Sequence, residues 1–513
     1  MRLRTLIAIV VMVVMAGAAI AAAAFGAAPF SGLIPAGSGC SVTVHSENAG
    51  DDAIQTAINA YPGGTICIGS GTFPEQLTIA ASGTTLKGAG DTKTILEPTS
   101  GSGLGSLTFN TVDWDSAPYT GGVTCGTSTC VPLAAIILVG SSTPPASTTP
   151  TTGVTVEDLE VNGAGGSSNI ACGDDYVGVD FQDAQGTLSS SAVVNVASPP
   201  AALGCQEVSG AVYAYNGYYY DVATSTTPAS APVSVTISGS VVTGYQKNGI
   251  TCDDPEETCA VSSTSVTGAG PIDNNAQNGI QVAYGAYGQL SHDTISGNNY
   301  TDGLGGSTND WYANGYAATG ILLFDSATGT TVSYNTLASN QIGIAYGDDG
   351  TFDSGSAATI ISHNSVKTSV AYGIVANGAP GGNDQVTILS NTVDNEYSLD
   401  HYAQGAPDIL VDTGVFAISD NILEGSNESA GASNGAGQTV CGPDATSGGS
   451  AVTGTPYLYC TAYGNLTTAA IQGASESGTS QTNVTLSGNQ FVEDNNELDT
   501  LGVLGGSVNV DWV

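Results

Sequence analysis

The chain is 513 residues long and carries 45 aspartates and glutamates against six lysines and arginines, a formal net charge of −39 at neutral pH. Nucleic acid is excluded as a partner, because binding phosphate needs a basic surface. Only 10% of the residues are charged, so the acids are not dense and the imbalance comes from missing bases.

Arg2 and Arg4 precede an uncharged run from Leu6 to Ala28, apolar at first and alanine-rich from Ala18 to Ala24. A short basic segment, an apolar core and an Ala-x-Ala exit describe a secretory signal peptide over residues 1–28. The run is also long enough to span a bilayer, so an uncleaved anchor is the rival reading. Either places the rest outside the cytoplasm, extracellular or at the cell surface, with membrane contact only through that segment. Beyond it the only bases are Lys87, Lys93, Lys247 and Lys367, with no arginine. Such a surface repels itself at neutral pH and approaches zero charge near pH 4, which suggests an acidic working environment, with a saline one as the alternative.

Ten cysteines follow the signal, an even number that reads as disulfides in an exported chain. Nearness in sequence suggests Cys40–Cys67, Cys125–Cys130, Cys172–Cys205, Cys252–Cys259 and Cys441–Cys460, although sequence alone does not fix connectivity. A zinc site would want Cys-x-x-Cys knuckles, and there are none.

The first element is a short helix from Asp52 to Tyr61, with apolar residues at Ala53, Ile54, Ala57, Ile58 and Tyr61 and a stop at Pro62–Gly63–Gly64. Short strands follow at 65–69, 71–80, 84–90 and 93–98, too close together for helical crossovers. From there the chain repeats itself. The phrase apolar-Ser-x-Asn-x-apolar occurs at 332–337, 361–366, 418–423 and 486–491, with a close relative at 388–393 and weaker copies at 261–266 and 290–295. A Gly-Ile pair precedes many copies, at Gly249, Gly279, Gly320, Gly343 and Gly373. Two phrases at a fixed offset, recurring every 20–40 residues, signal a solenoid. Short alternating segments joined by Gly/Asn/Asp turns make each repeat one coil of a β-helix. The repeated asparagine is then expected to turn inward at a corner and bond the same corner of the next coil. Segments near 101–150 and 425–482 break the repeat and read as loop insertions.

The stretch DAIQTAINAYPGGTICIGSGTFPEQLTIAASGTTLKGAGDTKTIL, together with the coils, resembles the pectin-lyase-like superfamily. The resemblance implies an all-β fold over residues 40–513, a right-handed parallel β-helix with a short N-terminal capping helix. It is specific for fold and nonspecific for function. Pectate-lyase-like elimination would want an arginine or lysine base, and only Lys247 or Lys367 could serve. Polygalacturonase-like hydrolysis would want several motifs, of which only Gly-Asp-Asp occurs, at 173–175 and 347–349. Pectin-esterase-like sites need an arginine that is absent.

Three sets of residues remain as candidates. CDDPEETC (252–259) places Asp253, Asp254, Glu256 and Glu257 in one loop, an oxygen-rich set of the kind that holds Ca²⁺, although a solvated acidic turn is the blander reading and no EF-hand-like spacing supports a metal. Asp348, Asp349 and Asp353 form a second acidic loop. Tyr213, Tyr215, Tyr218, Tyr219 and Tyr220, then Tyr300, Trp311, Tyr312 and Tyr316, would suit sugar rings if exposed along a groove, and would equally suit packing under loops. His292, Tyr334 and His363 share one repeat position and would stack on the surface if their coils are adjacent. Asn299, Asn427, Asn465 and Asn483 head glycosylation sequons. Two function classes follow. The first is a noncatalytic protein that binds carbohydrate or builds a cell-envelope layer; the second is a polysaccharide-active hydrolase or Ca²⁺-dependent lyase whose carboxylate pair is hidden by coiling.

Overall fold

The structure, a computed structural model, describes residues 33–34, 39–46, 52–98, 111–113, 123–125, 128–140, 149–165, 175–197, 209–216, 231–272, 275–300, 318–348, 357–367, 369, 372–378, 384–394, 408–424, 439–441, 460–462, 469–474, 481–492, 496–500 and 507–512. Among these, three long sheets hold nearly all the regular structure, with 14 strands in sheet 1, 15 in sheet 2 and 12 in sheet 3. A coil visits them in turn: Asn248–Asp253 in sheet 1, Glu257–Ser262 in sheet 2, Ser265–Ile272 in sheet 3, and then Asn278–Ala283 back in sheet 1. Each strand pairs in parallel with its counterpart one coil on, so the chain is a right-handed parallel β-helix. Antiparallel pairs occur at Leu33–Ile34 against Val42–Val44, at 111–113 and 123–125 against Ser128–Gly140, and at Thr439–Cys441 against Cys460–Ala462. Residues 133–140 and 469–474, inside the two segments that break the repeat, are strands of sheet 1.

Alternation builds the interior. In sheet 2, Leu188, Ile237, Val261, Leu290, Val332, Ile361, Ile388, Ile418 and Leu486 lie in register and are buried, while their neighbours face outward. Burying each such side chain stabilises by about 1.5–3 kcal/mol. The stretch 71–80, expected as one strand, is two: Gly71–Phe73 in sheet 3 and Leu77–Ile79 in sheet 1. Pro74 falls between them, where it cannot donate to a ladder and the chain turns a corner.

The helix α1 spans Ala53–Ala60, and its Ile54, Ala57 and Ile58 join the interior at the first coils. Tyr61 does not join the apolar stripe; it is exposed, because the helix ends before it. Asp52 makes no side-chain cap. Instead the buried Glu75, 21 residues beyond Ile54, accepts the N–H groups of Ile54 and Gln55 at 2.9–3.0 Å. Gln55 in turn bonds both backbone groups of Thr78, completing the edge of strand Leu77–Ile79.

The corner between sheets 2 and 3 carries the repeated asparagines inward, as expected. Asn364 Oδ1 accepts both the backbone N–H and the Nδ2 of Asn335, at 2.9 and 3.0 Å. The same pair of bonds links Asn364 to Asn391, Asn391 to Asn421 and Asn421 to Asn489. These asparagines are structural.

The Gly-Ile pairs have a steric cause. A Cβ on Gly249, Gly279, Gly320, Gly343 or Gly373 would come closer than 3.0 Å to a backbone oxygen of the next coil and to an inward aliphatic side chain of sheet 3. Gly320→Ala is therefore expected to cost about 1–3 kcal/mol through overpacking. Urea unfolding would measure it, and a neutral result would mean the coils have slack here.

Candidate functional site

Sheet 1 is covered on its outward face. All six positions of Asn248–Asp253 are buried, as are those of Asp175–Gln182, Gly210–Tyr215, Ile342–Gly347 and Tyr372–Asn377. Coiling places Asp180 opposite Tyr213, and Tyr215 opposite Asp253, on this one face. Both aspartates are fully buried, and the two tyrosine rings lie 5.7 Å apart. Two strands and two residues separate the carboxylates, which puts their Cα atoms roughly 12 Å apart. Tyr213 and Tyr215 pack with Leu133, Ala135, Leu138 and Val177, and Tyr300 packs into a second cluster on the same face. For these three tyrosines packing wins over an open sugar-binding groove. Tyr218, Tyr219, Tyr220, Trp311, Tyr312 and Tyr316 lie outside the described residues.

The acidic loop does not bring its four carboxylates together, and only the buried Asp254 stays near Glu257. Asp253 ends a strand and faces outward on sheet 1; Glu256 is exposed; Glu257 turns into the interior beside Cys259, in register with Val233. The loop joins two sheets: Asp253 closes a strand of sheet 1 at an outward position, and Glu257 opens a strand of sheet 2 at an inward one. No group of three or more histidines, cysteines and acids among the described residues is placed to hold a metal. Lys247 donates to the backbone oxygen of Ala276 at 2.6 Å. Cys252 and Cys259 form a disulfide across the interior, and Cys40–Cys67 a second. Cys441 and Cys460 are partners in strand register. The side chains of Cys125, Cys130, Cys172, Cys205, Cys441 and Cys460 lie outside the described residues, as do Asp349, Asp353 and the segment 1–28.

Burial has an electrostatic consequence near this loop. Burial, then the nearby carboxylates of Asp254 and Asp183, push Glu257 well above its usual range. Burial alone pushes Asp183 up to about 6. Asp348 accepts the Tyr346 hydroxyl at 3.3 Å and is also buried. Asn299 is buried, with its amide donated to Ser339 O, which leaves it a poor glycosylation acceptor.

The outward face of sheet 2 is the opposite in character. Nine successive strands, from Ala184–Ser189 to Gln481–Ser487, set two outward ladders side by side. One runs Thr187, Thr236, Ala260, Gln289, Thr331, Ile360, Thr387, Ala417 and Thr485; the other Ser189, Ser238, Ser262, Ser291, Ser333, Ser362, Leu389, Ser419 and Ser487. All are half-buried or exposed apart from Ser362. None is charged. The rungs repeat at about 4.8 Å, and the ladders stand about 7 Å apart over a length of about 40 Å. Sequence reasoning missed this face. Its signal was present in the serine of the repeat phrase and the threonine two residues before it. Beside it, at the corner, His292, Tyr334 and His363 stack with ring centroids 5.2 and 4.7 Å apart, so the three coils are adjacent.

These features define a parallel β-helix with one covered acidic and aromatic face and one open hydroxyl-bearing face, uncharged over nine coils and followed in register by Lys87 and Glu157 at one end and Asp511 at the other. No protein-family model and no curated protein matches the chain. Among solved structures it is similar to the A-module of a mannuronan C-5 epimerase of Azotobacter vinelandii, at 11% identity and TM-score 0.46, covering 89% of this chain and 94% of that one. It is also similar to a double mutant of a periplasmic alginate epimerase, at 9% identity and TM-score 0.41, covering 92% and 84%. A third is the catalytic domain of a GH87 α-1,3-glucanase in complex with nigerose, at 12% identity and TM-score 0.40, covering 91% and 68%. The fold assignment rests on the strand pairing of the chain itself.

Proposed function

We propose that the protein is an exported, extracellular β-helix that recognises carbohydrate without turning it over, through the outward face of sheet 2. The observation that carries this reading is the absence of charge from nine coils of that face in a chain of net charge −39. Serine and threonine hydroxyls both donate and accept, as sugar hydroxyls do. The rest of the molecule repels polyanions, so a neutral glycan is the partner that fits. Two disulfides and the N-terminal segment support an extracytoplasmic setting.

The test is co-sedimentation of the full chain with microcrystalline cellulose, chitin and xylan, against alginate and polygalacturonate gels, with reducing ends assayed in parallel. Retention on a neutral glycan without release of sugar is expected. Thr236→Lys, Gln289→Lys and Thr485→Lys combined should reduce retention at least tenfold. Equal retention by wild type and triple variant would sink the assignment to this face.

A second reading is favoured by Asp180 and Asp253, brought to one face of sheet 1 beside two tyrosines. Release of reducing ends that disappears in Asp180→Asn or Asp253→Asn would make the protein a hydrolase, and the noncatalytic reading would be wrong.

A further inference from the structure

The corner ladder changes chemistry along its length. Ser191, Ser240 and Thr264 occupy the position in the earlier coils, and Asn335, Asn364, Asn391, Asn421 and Asn489 in the later ones. Asp293 stands at the junction, almost fully buried. Its Oδ1 accepts the Thr264 N–H at 2.9 Å, and its own N–H donates to Asn335 Oδ1 at 2.9 Å. On that side it behaves as an asparagine would.

Its other oxygen does not. In Asn335 the Nδ2 donates to the next rung, Asn364 Oδ1, at 3.0 Å and to the Leu290 carbonyl at 3.1 Å. Asp293 Oδ2 takes the place of that donor and has no hydrogen-bond partner. Strand register makes the corresponding acceptors Asn335 Oδ1 and the carbonyl of Val261, which lies opposite Leu290. By that correspondence an ionised Oδ2 offers no donor to either acceptor, whereas a carboxylic acid O–H there can donate to one of them.

We propose that Asp293 is a proton-carrying rung, which joins the hydroxyl and amide halves of the corner ladder when protonated and loosens that junction when ionised. Burial pushes its carboxyl up to about 7, against the pull of the Thr264 and Ser291 N–H groups. The titratable groups around it are His292 on its own turn and Tyr334 on the next, and these two stack on each other outside the corner. The coil before contributes Ser263 and Thr264, neither of them charged, and the inward neighbours Val261, Leu290 and Val332 are aliphatic. The proton therefore answers to solvent pH rather than to an ion-pair partner.

The test compares the full chain with Asp293→Asn and with the reverse change, Asn364→Asp, at pH 4 and pH 8. Asp293→Asn supplies the missing donor permanently. It should raise the thermal midpoint by about 5 °C at pH 8 and by less than about 1 °C at pH 4. Asn364→Asp should lower the midpoint more at pH 8 than at pH 4. In the wild type, hydrogen-exchange protection of the Thr264 amide, corrected for intrinsic rate, should fall at least tenfold from pH 4 to pH 8, and Asp293→Asn should abolish that fall. Equal shifts at both pH values, or pH-independent protection of Thr264 in the wild type, would overturn the proposal. The exchange measurement on the wild type decides the matter even if a variant fails to fold.

Discussion

Thermal unfolding is expected at higher temperature at pH 5 than at pH 7.5. Glu257, Asp183 and Asp293 are all raised by burial, to about 6 for Asp183 and about 7 for Asp293. An aspartate in the unfolded chain titrates near 3.9. The folded state therefore binds more protons than the unfolded state throughout that interval, and stability falls as pH rises. The contribution of Asp183 is complete below about pH 4 and lost by about pH 6, and that of Asp293 by about pH 7. Each group adds a slope of about 1.4 kcal/mol per pH unit inside its window, so the two together amount to several kcal/mol. Repulsion among the 45 acids acts in the same direction but is screened by salt, whereas the buried groups are screened far less. Calorimetry across pH 4–8 at low and high salt separates the two. A stability maximum at neutral pH at both ionic strengths would contradict the burial of these groups.

Asn364→Ala should be among the most damaging single changes in the chain, at about 3–5 kcal/mol. The Asn364 side chain accepts from Asn335 N and Nδ2 and donates to Val332 O and Asn391 Oδ1. Truncation leaves those groups in the interior with no water to replace it, which costs more than the bonds themselves contribute. Its exposed neighbour His363 is a suitable control, since His363→Ala removes only a stacking contact to Tyr334. Denaturant unfolding of both variants at pH 5 gives the comparison; a cost below about 1 kcal/mol for Asn364→Ala would show that the ladder is ornamental.

The solenoid was legible because each coil contacts mainly its neighbours, so that the same spacing must recur along the chain. The repeat phrase at 332–337, 361–366 and 418–423 carries in one line an outward serine, an inward asparagine and the aliphatic rungs on either side, and all took the places their spacing implied. Cys40–Cys67 and Cys252–Cys259 could be paired by nearness for a related reason: partners one coil or one turn apart in a solenoid are close in sequence too.

Tertiary structure decided everything that depends on which face a residue meets and what lies across from it. Asp253 and Glu257 are four residues apart, yet one faces outward on sheet 1 and the other lies in the interior, because a turn and the pleat come between them. Asp180 and Asp253 are far apart in sequence and share a face. Glu75 serves the helix start that Asp52, next to it in sequence, does not. The uncharged face of sheet 2 exists only through register, since coils of unequal length bring Thr187, Thr236 and Thr331 into two ladders with their serines. Local periodicity specifies a coil, and the lengths of the loops between coils specify which side chains come to lie together.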